Sequence, residues 1–566
     1  MDNNNFNRRD FIKGGIVAAA IPTAGLGAFY FGYSRSEGNP VRVAILGTGD
    51  EGSVLLGAIN PDYLQVKAIA DIRPYNQHRA FHGDVESPAA QKARCGLMAK
   101  YGWKTEHEAR KHVNVYADYR DLLENEKGIE AVIIGLPLHL HAPAAIAAMK
   151  KGYHVLTEKL MAHTVGECKE MARAAEKFGK HLATGHQRHY NILYQDAVDT
   201  IKRGVLGDIH YIRAQWHRGN RPGADSWQMP MPYAVKPDDV QAKKLADQKK
   251  NLEAELKTAR GRDIGTVAKK LAQKEAQIED YLLAKGGVDR QGVAIKSAKD
   301  YGYLDDFDGD YPRPAAEELL RWRLFGRTGG GLMVELGSHQ LDAASIFLTA
   351  QHQQKTGKKD KIHPLSVLVS MNRNIFGADR DVADHVTAIV EFPQHDYDPK
   401  SKVGRKRKIC VQYSTINGNG FGGYGEIVYG TKGTLVLATE AESEILKSGG
   451  GAATKIAAGG APALDTQASG PAQKAVSASG KAEVSRGYQE ELEHWAWCIR
   501  VNPNNKNKEL QPRCYPKIAM GDAVIALVTN MAPDAGGKIA FKEEWFDPDK
   551  DDTPEGIAPD LSKYNV

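Results

Sequence analysis

Cysteine is scarce in this chain: there are five in 566 residues, at Cys95, Cys168, Cys410, Cys498 and Cys514, and no Cys-x-x-Cys pair. That scatter excludes a zinc ribbon or a disulfide framework, and no metal site is expected. Charge of one sign is also lacking, since 75 Lys and Arg stand against 70 Asp and Glu for a net charge of +5. Much of the excess falls in one run, Lys400 to Lys408, so no nucleic-acid partner is implied. A long hydrophobic run is missing as well. The apolar stretch from Gly14 to about Tyr33 is broken by Pro22 and several glycines, which disfavours a stable membrane span and leaves an uncleaved anchor open. No internal repeat is evident. What the chain does have is length, and 566 residues predict two domains plus insertions.

Ahead of the apolar stretch, Asn7 to Lys13 reads NRRDFIK. It resembles a twin-arginine export signal, with Arg8 and Arg9 as the pair, Phe11 as the apolar position and Lys13 as the closing charge. The resemblance implies three things: residues 1–39 as signal or anchor, the twin-arginine machinery as a partner, and a location in the periplasm or on the outer face of the cytoplasmic membrane. Such export carries folded proteins, so a tight cofactor is loaded before the chain leaves the cytoplasm.

Val41 to Leu46 (VRVAIL) reads as a strand, followed by Gly47-Thr48-Gly49-Asp50-Glu51-Gly52 and a helical SVLLGAIN. Strand, glycine turn and helix in that order form a dinucleotide-binding fingerprint. Gly47 serves the tight turn, Gly49 the approach of a pyrophosphate, and Gly52 close packing, with Thr48 and Glu51 beside them. A second strand, Val66 to Ala70, ends in Asp71, placed to accept from both ribose hydroxyls. That favours NAD. Arg73 lies just beyond and would attract a 2′-phosphate, which keeps NADP as the lesser reading.

A further strand, Ala131 to Gly135, opens the run IIGLPLHLHAPAAIAAMKKGYHVLTEK that ends at Lys159. This run resembles the Gfo/Idh/MocA oxidoreductases, named for glucose-fructose oxidoreductase, inositol dehydrogenase and rhizopine catabolism. The features shared are a Pro-x-x-x-His turn (Pro137, His141), an Ala-rich helix, Gly-x-His-Val, and Glu-Lys-Pro, here Glu158-Lys159 with Leu160 in place of proline. The resemblance implies that Lys159 is catalytic and that Leu136, Pro137, His141, Glu158 and Lys159 face the cofactor. Losing the proline is expected to alter the backbone after Lys159.

Farther on, Gly185 to Asn191 (GHQRHYN) is similar to a stretch at the rim of the family's substrate site. It implies contacts from Arg188 and Asn191 with Tyr190 packing nearby; a helix cap is an equal reading for Asn191. The strand Ile209 to Gln215 ends in Trp216-His217-Arg218, an aromatic face beside hydrogen-bonding groups, which suits a sugar. Gly329 to Asp342 reads GGGLMVELGSHQLD. If it is helical, Glu335, His339 and Asp342 share one face, so an acidic group can orient an imidazole that points at substrate. The family pattern has Asp where this chain has Glu335, and its histidine, here His339, is the acid/base.

The fold expected is α/β: a Rossmann domain over 40–160, then an α+β domain over 161–566 with a large, mostly antiparallel open sheet. Within the second domain, 236–300 reads as a helical hairpin that is exposed or serves assembly, and 448–485, rich in Gly, Ala and Ser, as a flexible excursion. Homo-oligomerisation through the sheet is expected. The function expected is an exported NAD(P)-dependent oxidoreductase acting on the CH–OH group of a sugar-like substrate. An NAD-dependent glycosidase working through a transient keto-sugar, and a non-catalytic nucleotide- or sugar-binding protein, are the alternatives.

Overall fold

The structure is a computed structural model that describes residues 28, 30–34, 38–233, 244–440, 442–447, 454–457 and 486–566. The Arg8-Arg9 segment, and nearly all of the expected excursion at 448–485, lie outside the described residues. Among those described, no helix is long and apolar enough to cross a membrane.

The first layer is a six-stranded, all-parallel sheet of β1 (Val41–Leu46), β2 (Leu64–Ala70), β3 (Asn114–Tyr116), β4 (Ala131–Ile134), β5 (His154–Glu158) and β6 (Leu182–Gly185), in the order 3-2-1-4-5-6. Strands covered on both faces read as continuous apolar runs, and β4 is buried at every position. α1 (Asp50–Ala58) follows β1, α2 (Pro74–His82) follows β2, α3 (His141–Lys150) follows β4, and α4 (Val165–Phe178) connects β5 to β6. Because β6 pairs with β5, the first domain runs some 25 residues past the expected boundary at 160; α4 is its last crossover, not the start of the next domain.

α5 (Ile192–Lys202) leads into the second sheet. Its strands are β7 (Ile209–Trp216), β10 (Ser366–Asn372), β11 (His385–Pro393), β12 (Lys408–Ile416), β13 (Tyr424–Gly430), β14 (Gly433–Ala438), β15 (Glu442–Lys447), β16 (Thr454–Ala457) and β17 (Lys538–Ala540). The order is 16-15-14-13-7-12-11-10-17, antiparallel except where β7 runs parallel to β12. β12 alternates buried and half-buried positions along its length, the signature of a sheet with one covered face. On that face lie α8 (Ser338–Thr356) and α10 (Pro516–Met531). α8 is buried almost all round through its first half, so its apolar residues form no stripe.

The insertion departs from expectation. It folds as a pair of helices, α6 (Lys244–Thr258) and α7 (Arg262–Glu279), then a small hairpin of β8 (Gly287–Val288) and β9 (Ala294–Ile295). It is neither detached nor fully exposed, because Gln273 of α7 accepts from Val85 N at 2.8 Å and donates to Asp84 at 3.0 Å beside α2. At the chain start, Phe31 meets the Tyr190 ring edge-on at 5.4 Å, and Tyr33 donates to Glu493 at 2.7 Å on α9 (Tyr488–Val501).

Candidate active site

A crevice opens at the C-terminal ends of the parallel strands, where α/β sheets bind ligands. Gly47, Gly49, Glu51, Asp71, Arg73, Leu136, Pro137, His141, Glu158, Lys159 and Glu335 all line it. Thr48 and Gly52 lie beneath. A Cβ on Gly52 would stand 2.0 Å from the Gly47 carbonyl oxygen, and one on Gly47 2.5 Å from that of Gly135. Gly49 is different, since its nearest neighbour would be Asn76 at 3.7 Å, which leaves the turn open on the crevice side. The turn and the N-terminus of α1 therefore fit a pyrophosphate. Asp71 accepts from Thr48 N at 2.7 Å and from Arg73 N at 2.9 Å, so it ties the glycine turn to β2 while it faces the crevice.

At the other end, Lys159 donates to the Glu335 carbonyl at 2.8 Å, and its Nζ is 4.0 Å from the Glu335 carboxylate. The Lys159–Leu160 peptide is cis. The ring nitrogens of His141 lie 2.8 Å from the Leu136 and Leu160 carbonyls, which commits that side chain to holding the two crevice loops together. Burial lowers the Lys159 pKa, opposed by Glu335 and Glu158. Burial raises Glu51 to about 7 against the pull of Lys159, and lifts Glu158 further, with Glu51 adding to it.

Met333–Gly337 forms a π-helical turn, which breaks the expected phase between Glu335 and His339. Glu335 accordingly aims at Arg323, at 3.2 Å, and at Lys159. Burial acts to raise it, but Arg323 and Lys159 win and hold it below its ordinary value. His339 is depressed well below the usual histidine range by burial, then by the charges of Lys159, Arg188 and His186, with Asp342 opposing. Lys159 and His339 thus belong to one electrostatic cluster, and the nearby acidic charge that opposes the His339 shift is Asp342, whose oxygens face His189 and His186. The Trp216 ring centroid is 5.4 Å from that of His339.

Five residues expected at the substrate site are engaged elsewhere. Arg188 is 1% exposed and locked to Glu440 at 2.8 Å and Gln340 at 2.9 Å. Tyr190 pairs with His494 at 2.8 Å and accepts from Arg513 N. Asn191 caps α5 by accepting from Leu193 N at 2.9 Å, so the cap reading holds. His217 alternates to the opposite side of β7 from Trp216, with Arg213 and His385 as its charged neighbours. Asp342 is held by His189 at 2.9 Å, near Asp522.

A profile described as an oxidoreductase family, NAD-binding Rossmann fold, matches residues 41–186, and the same family's C-terminal alpha/beta domain matches 307–506. The chain belongs to the Gfo/Idh/MocA oxidoreductase family. A glycosyl hydrolase family 109 protein of Stenotrophomonas maltophilia (strain K279a) is 30% identical over 219 residues, 38% of this chain and 43% of that protein. A 1-carboxy-3-chloro-3,4-dihydroxycyclo hexa-1,5-diene dehydrogenase of Comamonas testosteroni is 35% identical over 100 residues, 18% of this chain and 25% of its own. The chain therefore spans less than half the length of these curated relatives. An inositol dehydrogenase homolog from Azotobacter vinelandii, solved with NAD+, has a TM-score of 0.52 at 13% identity over 90% of this chain and 99% of that one, a likeness of fold.

Within this Gfo/Idh/MocA chain, the residues that sequence reasoning missed come from the segment after the insertion. Tyr301, Tyr303, Leu319, Leu320, Trp322 and Arg323 line the crevice wall opposite the glycine turn. Only the Trp322-Arg323 pair carried any signal, an aromatic beside a cation just ahead of the glycine triplet. His189, Asp342 and Asp522 also bring ligand atoms within 4.8 Å of one another, a grouping the sequence did not suggest. Lys361 occupies Asp522 at 2.6 Å, so the group balances its charge within the protein.

Proposed function

We propose that this chain is an NAD-dependent oxidoreductase that acts on the CH–OH group of a sugar or sugar-like polyol and keeps its cofactor bound through the cycle. The observation that carries the reading is the glycine-turn crevice that ends at buried Lys159 and Glu335, with buried His339 near enough to feel the Lys159 charge. The Gly47 turn and α1 would hold the pyrophosphate, Asp71 the ribose, and Glu158 and Lys159 would flank the nicotinamide. Bound there, the nicotinamide supplies the hydride acceptor. Lys159 donates to the substrate oxygen, and Glu335 and Arg323 keep its ammonium aimed. His339, neutral because burial and its cationic neighbours lower its pKa, accepts the hydroxyl proton. Trp216 offers an apolar ring against one face of the sugar.

A second reading is supported by the glycosyl hydrolase family 109 relatives: oxidation of a ring carbon acidifies the adjacent C–H, the glycosidic bond leaves by elimination, and re-reduction restores the cofactor. The test is to incubate purified holoprotein, without added NAD, with keto-sugars, polyols and aryl glycosides. Bound nicotinamide reduced by a polyol supports the dehydrogenase. Aglycone release with no net NADH moves the assignment to the glycosidase. Lys159→Met and His339→Ala should each lower turnover by roughly 10²- to 10⁴-fold. Unchanged turnover in both removes these two residues from the chemistry, and no turnover by wild type on any of these substrates leaves a binding module. Export by the twin-arginine route belongs to the same proposal, and fractionation of cells carrying Arg8→Lys/Arg9→Lys protein tests it. Self-association through the open face of the second sheet does too; Leu368 is 49% and Ile389 38% exposed there, and native mass measurement decides it.

A further inference from the structure

We infer that the helical insertion is a clamp on the adenosine end of the crevice, and that Asp280 makes it selective for a dinucleotide with a free 2′-hydroxyl. This rests on the nucleotide reading of the crevice and adds to it a role for residues outside the fingerprint.

Arg73 is the cation just beyond Asp71 and the group a 2′-phosphate would need. Its charge is already paired, because Nε and Nη2 each stand 2.9 Å from Asp280 Oδ2. The other Asp280 oxygen accepts from Tyr75 N at 3.1 Å, in the first turn of α2. Asp280 follows α7 directly and is 1% exposed. A largely buried ion pair of this kind, with two guanidinium N–H groups converging on one carboxylate oxygen, is costly to separate. A 2′-phosphate arriving here would meet two buried carboxylates, Asp71 and Asp280, and an Arg73 whose charge Asp280 already balances. A ribose hydroxyl asks for no such charge.

The same insertion closes the crevice mechanically. Gln273 bonds to Asp84 and Val85 N, and Lys274 pairs with Glu86 at 2.9 Å, so α7 is fastened along the loop after α2. Beyond it, Leu282, Leu283, Ile295, Tyr301 and Tyr303 build a separate apolar core against which Ile72 and Ala117 pack. Tyr301 and Tyr303 then present themselves to the crevice opposite Asp71. The β2 exit, the place a dinucleotide's adenosine occupies, is thereby held between the first domain and this added core. A nucleotide seated there would lie against Tyr301 and Tyr303.

The probes are ADP and 2′-phospho-ADP, which differ only by the 2′-phosphate, titrated into full-length protein stripped of nucleotide. Wild type should prefer ADP by at least 100-fold. Asp280→Asn keeps an acceptor for Tyr75 N while releasing Arg73, and should narrow that preference at least tenfold; its melting temperature falls with the broken pair, and the titration is run below that melt. Arg73→Met should leave 2′-phospho-ADP binding as weak as in wild type. Gln273→Ala should speed release of bound NAD, followed by chromatography of the retained nucleotide, by threefold or more. An unchanged ADP to 2′-phospho-ADP ratio in Asp280→Asn, or a loss of 2′-phospho-ADP affinity in Arg73→Met, overturns the inference while the nucleotide crevice stands. Failure of wild type to bind either probe overturns both.

Discussion

Gly49 and Gly52 lie three residues apart in one turn, yet the structure assigns them different obligations. A methyl on Gly52 would stand 2.0 Å from the Gly47 carbonyl oxygen, which is backbone and has no rotamer to yield. Relief requires the start of α1 to move by roughly 1 Å or more, since carbon contacts normally settle near 3.5 Å. Overpacking of that kind costs about 1–3 kcal/mol. It also carries the phosphate-facing amides out of hydrogen-bonding range, which spans only about 2.7–3.2 Å. Gly49 has a φ of −63° and its added methyl would meet nothing closer than 3.7 Å, so alanine fits the folded chain without strain. The clash at Gly49 exists only when a pyrophosphate is present. Gly49→Ala should therefore melt within a degree or two of wild type yet bind ADP at least tenfold more weakly, a loss of about 1.4 kcal/mol. Gly52→Ala should lose both stability and binding. Thermal unfolding by circular dichroism together with calorimetric titration of stripped protein reads both quantities. Wild-type ADP affinity in Gly49→Ala would refute the reasoning, because no phosphate would then cross that turn.

Two further perturbations separate structural roles from substrate roles. Arg188→Met removes the cation that Glu440 and Gln340 share in the core, and urea unfolding should show a loss of about 3 kcal/mol; a stable variant with a raised KM for the sugar would restore Arg188 to the substrate site. Glu426 is raised to about 7, by burial and against the pull of Arg188, compared with 4.5 for an exposed group. The folded state holds its proton more tightly than the unfolded one, so its contribution to stability is full below about pH 4.5 and is lost as pH rises through 7. Glu426→Gln should then gain up to roughly 3 kcal/mol on wild type between pH 5 and 8, a gap that urea melts at the two pH values measure. Parallel pH profiles for the two proteins would count against that burial effect.

The first domain was largely legible because its signals are local. β1, the glycine turn and α1 follow one another within 18 residues, and a turn that needs Gly47 at φ +85° advertises itself in sequence. Lys159 was found by register alone. The second-domain sheet was legible from alternation, which β12 carries along its whole length. What the sequence concealed depends on contacts between distant segments. Arg188 looks like any exposed binding arginine until Glu440, 252 residues away, is brought beside it. The π turn over Met333–Gly337 has no simple periodic signature, so Glu335 was assigned to His339 when it serves Lys159 and Arg323. The insertion shows charge-rich amphipathic helices, but nothing in that pattern names Asp280 as the partner of Arg73.

The packing of Phe31 and Tyr33 against Tyr190 and Glu493 makes residues 30–34 part of the globule ahead of β1. Trimming that stops short of residue 28 spares this joint. A protease cutting past Tyr33 would strip two buried aromatic rings from the protein and leave a hydrophobic scar on it.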